Sequence, residues 1–234
     1  MGKYEKVTEG LYRIMGARSN IYLVAGEELV LIDTGMPGDG ETVLEVIREL
    51  GYQNEDVRYI MITHAHMDHV GSLAVLKQAT GAKIVASEKE KAFIEGRRML
   101  CRMKREGLGG KIFKIILFML EKFAVKYEPS ILDIPFDGDA DKELIKGFKI
   151  INTPGHSAGS LSYFCSEKKA VFTGDALTGM PVPGLPMRAG CSDHRQALDS
   201  VNRISELSFD LALFGHGVPV KADAGAVVSG LLQV

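Results

Sequence analysis

The sequence predicts a layered α/β domain, and three observations carry that reading. Short apolar runs end in turns containing Gly or Asp, stretches with helical spacing fall between them, and His or Asp recurs just where such runs stop. Leu29–Ile32 is an apolar run closed by Asp33, Thr34 and Gly35, so it reads as a strand entering a turn. A helix follows, with Val43, Leu44, Ile47 and Leu50 on one face and Gly51 just past its end. Residues 59–62 form the next expected strand, 70–79 a helix and 83–85 another strand. The second half is richer in strands, at 148–151, Leu161–Cys165, 170–172 and Leu211–Phe214, with a helix at 195–207. Helices and strands interleave throughout, which argues against a helical bundle or a sandwich of bare sheets.

A chain of 234 residues can bury a sizeable core, and residues 1–234 are read as one domain. No apolar run approaches the ~18 residues of a spanning helix. A net charge of -2 gives no global attraction to nucleic acid or to an acidic membrane. Lys3, Glu5 and Lys6 bring charges where a signal peptide would be apolar, and three scattered cysteines do not make a disulfide framework. A cytoplasmic location is expected.

The stretch 88–128 departs from this pattern. Residues 89–127 hold eleven basic and four acidic side chains, so the segment carries +7 and the remainder -9. Lys111, Lys114, Lys122 and Lys126 share a narrow helical stripe among Ile, Leu, Phe and Met, and Gly107, Gly109 and Gly110 divide the segment in two. A helical insertion is expected, packing on its own domain, lining a substrate pocket, meeting a second subunit in a homo-oligomer, or resting on a membrane surface.

The chemistry concentrates in Thr63-His64-Ala65-His66-Met67-Asp68-His69. If the strand continued, His64, His66 and Asp68 would project from one side, and a turn into the following helix would bring His69 to join them. Three later residues sit at equivalent places: His156 after the run 148–151, Asp175 after Val171 and Phe172, and His216 after Leu211–Phe214. Loops at strand ends are where α/β scaffolds assemble sites. Imidazole and carboxylate without thiolate suit Zn, Fe or Mn, and five histidines with two aspartates exceed what one tetrahedral ion takes. Two ions, most simply zinc, are expected. His194, at the start of a helix, is read as a surface residue, and Arg188, Cys191 and His194 follow the Asp175 turn in a Pro- and Gly-rich loop, with substrate contact there the weaker expectation.

In order and spacing, His64, His66, Asp68, His69, His156, Asp175 and His216 resemble the metal-binding signature of the metallo-β-lactamase superfamily of hydrolases. Residues 31–35 are similar to its early Asp-Thr-Gly turn and 214–217 to its closing Gly-His-Gly. The resemblance implies a four-layer αββα sandwich with metals at one edge. His64, His66 and His156 would hold the first ion, Asp68, His69 and His216 the second, and Asp175 would bridge them. A hydroxide between the ions would attack an ester, thioester or lactone of small-molecule size, with Asp68 orienting it and handling its proton. Asp33 is expected to hydrogen-bond a ligand or its neighbour.

Departures from subfamily patterns narrow the expectation. Only 18 residues follow His216, and no Gly-Cys-Gly-Arg-Phe-like segment follows Asp175, so the glutathione thioester of glyoxalase II is disfavoured. Asp175 stands where the secreted β-lactamases usually lack a bridging carboxylate, and His66 where flavin-linked di-iron members carry an acid. The alternatives are a mononuclear iron thiol or persulfide dioxygenase and a metal-dependent nuclease or phosphodiesterase. Nucleic acid is the weaker partner because no aromatic stacking pattern accompanies the basic segment.

Overall fold

A computed structural model describes residues 2–97, 128–136, 138 and 142–233. Two mixed sheets face each other. The first has seven strands in chain order: β1 (Tyr4–Thr8), β2 (Leu11–Met15), β3 (Asn20–Ala25), β4 (Leu29–Ile32), β5 (Val57–Met61), β6 (Lys83–Ser87) and β7 (Ile134–Phe136). β1 to β4 pair antiparallel, and β4 to β7 parallel. The second has five strands: β8 (Lys142–Ile145), β9 (Phe148–Asn152), β10 (Leu161–Cys165), β11 (Ala170–Gly174) and β12 (Leu211–Phe214). All its pairs are antiparallel except β11 with β12.

Residue alternation explains why the strand runs are continuously apolar. Leu23, Leu31, Ile60 and Ile84 point to the outer core beneath helices α1 (Asp39–Glu49) and α3 (Leu73–Thr80). Their neighbours Val24, Val30, Met61 and Val85 point inward, against Phe148, Ile150, Tyr163 and Phe172 of the other sheet. A third core lies outside the second sheet, where Val171, Ala212 and Phe214 meet Val201 and Ile204 of α5 (His194–Ser205) and Val228 of α6 (Ala224–Leu231). Strands buried on both faces lose the apolar–polar alternation that marks a half-exposed strand. Three cores between four layers make this the expected αββα sandwich.

The structure differs from the sequence reading in two places. The strand expected at 59–62 is Val57–Met61, with the Ile62 N–H still donating to the Val85 carbonyl at 2.8 Å, and the chain turns away from there, so His64 and His66 lie on a loop rather than on a continued strand. Asp33 causes the departure: its Oδ1 accepts the Thr63 N–H at 2.8 Å, where a strand neighbour's carbonyl would otherwise stand. The helix expected at 70–79 is two helices, α2 (Met67–Val70) and α3. The break falls where Gly71 donates to the Gly35 carbonyl at 2.8 Å, so close to Pro37 that a Cβ would meet its Cδ at 2.3 Å. Most of the segment 88–128 lies outside the described residues, whereas its start is a 3₁₀ turn, Glu88–Glu90, and a one-turn helix α4, Lys91–Ile94.

The parallel strands β4, β5 and β6 end at the same edge as β9, β11 and β12, and the two sheets are tied together there. The Asn20 amide donates to the carbonyls of Phe214 and Gly217 at 2.9 Å each, the Tyr22 hydroxyl to Phe214 at 2.7 Å, and the Tyr163 hydroxyl to Ile62 at 2.6 Å. The polypeptide emerging at that edge is therefore held in place from both layers.

Candidate metal centre

All seven predicted ligands meet at this edge. Three imidazole nitrogens converge first: His66 Nδ1 lies 3.0 Å from His64 Nε2 and 2.9 Å from His156 Nε2. One Nδ1 facing two other ring nitrogens at such distances is an arrangement of lone pairs that a cation satisfies better than protons do. Beside it, His216 Nε2 lies 3.3 Å and His69 Nε2 3.9 Å from Asp68 Oδ2. Asp175 stands between the groups, with Oδ2 3.4 Å from both His156 Nε2 and His216 Nε2 and 4.0 Å from His64 Nε2, while Oδ1 is 3.6 Å from His69 Nε2.

The outer nitrogens of three of these rings have partners that fix which nitrogen faces inward. The Thr63 hydroxyl donates to Asp33 Oδ2 at 2.8 Å, so its lone pair is left to accept the Nδ1–H of His64 at 3.1 Å. Asp33 Oδ2 also accepts from His69 Nδ1 at 2.8 Å. The Arg18 carbonyl, which can only accept, lies 3.0 Å from His216 Nδ1. In each of these three rings Nε2 is the nitrogen presented to the centre, and the partner at Nδ1 fixes the tautomer that leaves it free to bind a metal. Asp33 thus serves two of the ligands, one directly and one through Thr63. It does so from a left-handed backbone conformation, φ 59°, which aspartate tolerates better than most residues.

The electrostatics separate the two groups. Burial, reinforced by neighbouring imidazoles, drives His64 well below the usual histidine range, lowers His66 and takes His156 down to about 4. His216 is raised to about 11 by its hydrogen bonds to Asp175 and Asp68. Burial opposes a charge on His69, but Asp33 and Asp175 outweigh it and hold the ring at about 9. Burial likewise opposes ionisation of Asp68, yet His216 and His69 pull it down to about 2. Among the described residues, the ion pairs of Asp33, Asp68 and Asp175 are all with histidines. His69 Nε2 and Asp175 Oδ1 are buried without a hydrogen-bond partner. Orphaned polar atoms are rare in folded proteins, and here a nitrogen donor and a carboxylate oxygen face one another across a cluster of further donors. The donor set fits divalent metal ions.

One feature of the support was not legible in the sequence. Glu90 is buried, 3% exposed, behind both ligand loops. Its Oε2 accepts the Ala65 N–H at 3.2 Å, and its Oε1 accepts the Ser157 hydroxyl at 2.7 Å and the Gly159 N–H at 2.9 Å. It ties the His64–His66 loop to the His156 loop from the root of the expected insertion. Gly215, in the expected Gly-His-Gly turn, makes the close approach such a glycine allows, since a Cβ there would meet Asp175 Oδ1 at 2.4 Å and His69 Cε1 at 2.8 Å. Of the remaining predicted residues, His194 begins α5 behind Asp193, whose side chain caps that helix by accepting the Gln196 N–H at 3.1 Å. Cys191 is half-buried, and burial, with Asp175 nearby, pushes its thiol up.

An αββα sandwich with a histidine and aspartate cluster at one sheet edge defines a metal-binding hydrolase scaffold. The family model of the metallo-β-lactamase superfamily matches residues 15–216, and the chain belongs to that superfamily of metal-dependent hydrolases. Among its relatives is the uncharacterized protein YobT of Bacillus subtilis (strain 168), 29% identical over 210 residues, covering 85% of this chain and 82% of that protein. The hydroxyacylglutathione hydrolase GloC of Haemophilus influenzae is 30% identical over 190 residues, covering 80% of this chain and 79% of the enzyme. A metallo-β-lactamase family protein of Thermus thermophilus superposes with a TM-score of 0.71 at 23% identity, covering 97% of this chain and 80% of that one, and so shares its fold.

Proposed function

We propose that the protein hydrolyses a small ester, thioester or lactone at a dinuclear metal centre. The position of Asp175 carries this reading, since one carboxylate faces imidazoles of both ligand groups at 3.4 to 4.0 Å. His64, His66 and His156 would hold one ion, Asp68, His69 and His216 the other, and Asp175 both. Two such ions supply an acidified water as nucleophile near neutral pH and polarise the carbonyl under attack. The protein's own part is to aim the ring nitrogens through Asp33, Thr63 and the Arg18 carbonyl, and to keep the carboxylates of Asp68 and Asp175 ionised beside them. Asp68, whose side chain is a quarter exposed, is the carboxylate on the solvent side, placed to orient the attacking water and take up its proton.

Metal content and turnover test the reading together. Protein purified without chelator is expected to hold about two ions per chain. Asp175→Ala is expected to lose one of them and to lower ester or thioester turnover more than about 100-fold, beyond what outer partners of a ligand cost. One iron per chain with oxygen consumption on persulfides would overturn the hydrolase mechanism in favour of dioxygenase chemistry.

A further inference from the structure

Residues 176–193 run along the metal edge from Asp175 to α5 and are fastened to ligand turns at both ends. Near the start, the Gly179 N–H donates to the His216 carbonyl at 2.8 Å and the Val218 N–H to the Gly179 carbonyl at 3.1 Å, while Thr178 and Gly184 pair through both backbone bonds. Near the end, the Ser192 N–H donates to the His156 carbonyl at 3.0 Å and the Asp193 N–H to the Gly155 carbonyl at 2.9 Å. Gly190 lies against the His156 ring, where a Cβ would be 3.9 Å from Cε1.

Apolar side chains stand out between these anchors. Met180, Val182 and Met187 are 61%, 65% and 72% exposed, and Val218, joined to this stretch through Gly179, is 61% exposed. Single exposed apolar residues need no explanation. Here, however, four of the seven large hydrophobic residues exposed among the described ones fall on one edge, on backbone that is hydrogen-bonded to the turns of His156 and His216. Two are methionines, whose unbranched side chains adapt to an apolar guest without demanding one shape.

We propose that this edge is the subsite for the acyl part of the substrate, and that the group it takes is an unbranched aliphatic chain. The inference rests on the hydrolase reading above. Continuity with the metal centre singles out this occupant, because the backbone that carries Met180 and Met187 is fastened to the turns of His216 and His156, and Gly190 lies against the His156 ring. Gly190 puts no side chain against the His156 ring, and Met180, Val182 and Met187 cover the acyl chain beyond it.

Metal-loaded full-length protein is assayed with p-nitrophenyl butanoate, hexanoate and octanoate below their aggregation concentrations. Partial burial of each added methylene is expected to raise kcat/KM about twofold, on the order of tenfold from butanoate to octanoate. The gain should fall on KM rather than kcat, since the chain is bound alike before and during reaction. In the combined variant Met180→Ser, Val182→Ser and Met187→Ser, the dependence on chain length should flatten while its thermal unfolding stays close to wild type, as exposed positions allow. An unchanged slope in the folded variant overturns the subsite alone. Failure of the loaded wild type to hydrolyse any of the three overturns the acyl-hydrolase reading and the subsite with it. If the variant keeps the slope but converts a dimeric wild type to a monomer in sedimentation, the edge covers a second copy and the proposal fails.

Discussion

The two sheets furnish the metal edge in unlike ways. The seven-stranded sheet contributes Asp33 after β4 and a contiguous ligand segment after β5, and its ligands are aimed by other buried side chains: Asp33 on His69, Thr63 on His64, Glu90 on the loop between them. The five-stranded sheet contributes one ligand from each of three strand ends, and its turns are held chiefly by backbone. Gly215 donates to the Gly174 carbonyl at 2.9 Å, Asn20 to the Gly215 carbonyl at 2.7 Å, and His216 is aimed by the Arg18 carbonyl. A side-chain change in the first sheet should therefore reach several ligands together. In the second sheet, changes outside the ligands and glycines should remain local.

Asp33→Asn gives the largest expected effect short of removing a ligand. The carboxylate accepts three hydrogen bonds, from the Thr63 N–H, the Thr63 hydroxyl and His69 Nδ1, and an amide that carries two donors cannot accept all three. Metal affinity, measured by competition with a chelator, should fall between about 10- and 100-fold. Ser200→Ala is the matching change behind the second sheet's His156 turn, where the Ser200 hydroxyl donates to the Pro154 carbonyl at 2.7 Å. It should cost no more than one ordinary hydrogen bond, about 1 kcal/mol of stability, and leave the metals in place. Equal losses of affinity in the two variants would break the contrast between the sheets.

Glu90 sharpens that contrast, since its side chain spans both ligand loops. Glu90→Ala leaves the Ala65 and Gly159 N–H groups without their acceptor and should weaken metal retention about tenfold. Glu90→Gln keeps one acceptor oxygen and should recover part of that loss. The absorption bands of a cobalt-substituted protein should shift in both variants, because the first ligand group is displaced rather than the fold. Unshifted bands alongside a lowered unfolding temperature would make Glu90 merely structural.

Much of this edge was legible in the sequence because its signals are local. The spacing of His64, His66, Asp68 and His69 is contained in six residues, and His156, Asp175 and His216 each follow an apolar run that is plainly a strand. Asp33 was readable for the same reason, as an acid closing such a run. Glu90 was not, because it sits in Glu88-Lys89-Glu90-Lys91, a charged run of the kind that normally faces water, and only contacts 25 and 67 to 69 residues away bury it. The strand expected at 59–62 does not continue through His66, because a side chain distant in sequence captures the Thr63 amide. Similarly, Gly71 breaks a good helical pattern because another turn lies against it. The expected insertion's basic stripe falls outside the described residues.

A further expected effect sets the two ligand groups against each other in metal-free protein. In the first group, His156 titrates at about 4 when folded, against about 6.5 when unfolded, so the unfolded chain binds more protons between those values. Stability that depends on the neutral ring is present above about pH 6.5 and is lost as the pH falls toward 4. In the second group the sign reverses: His69 and His216, raised to about 9 and about 11, stabilise fully below the unfolded value and lose that contribution as the pH rises through their folded values. The urea midpoint of chelated protein should therefore peak near neutrality and drop on both sides, by about 0.5 M per kcal/mol lost. His156→Asn should blunt the acid limb and leave the alkaline limb as it was. Loss of both limbs together in that variant would mean that the two groups titrate as one cluster rather than as two sites of opposite sign.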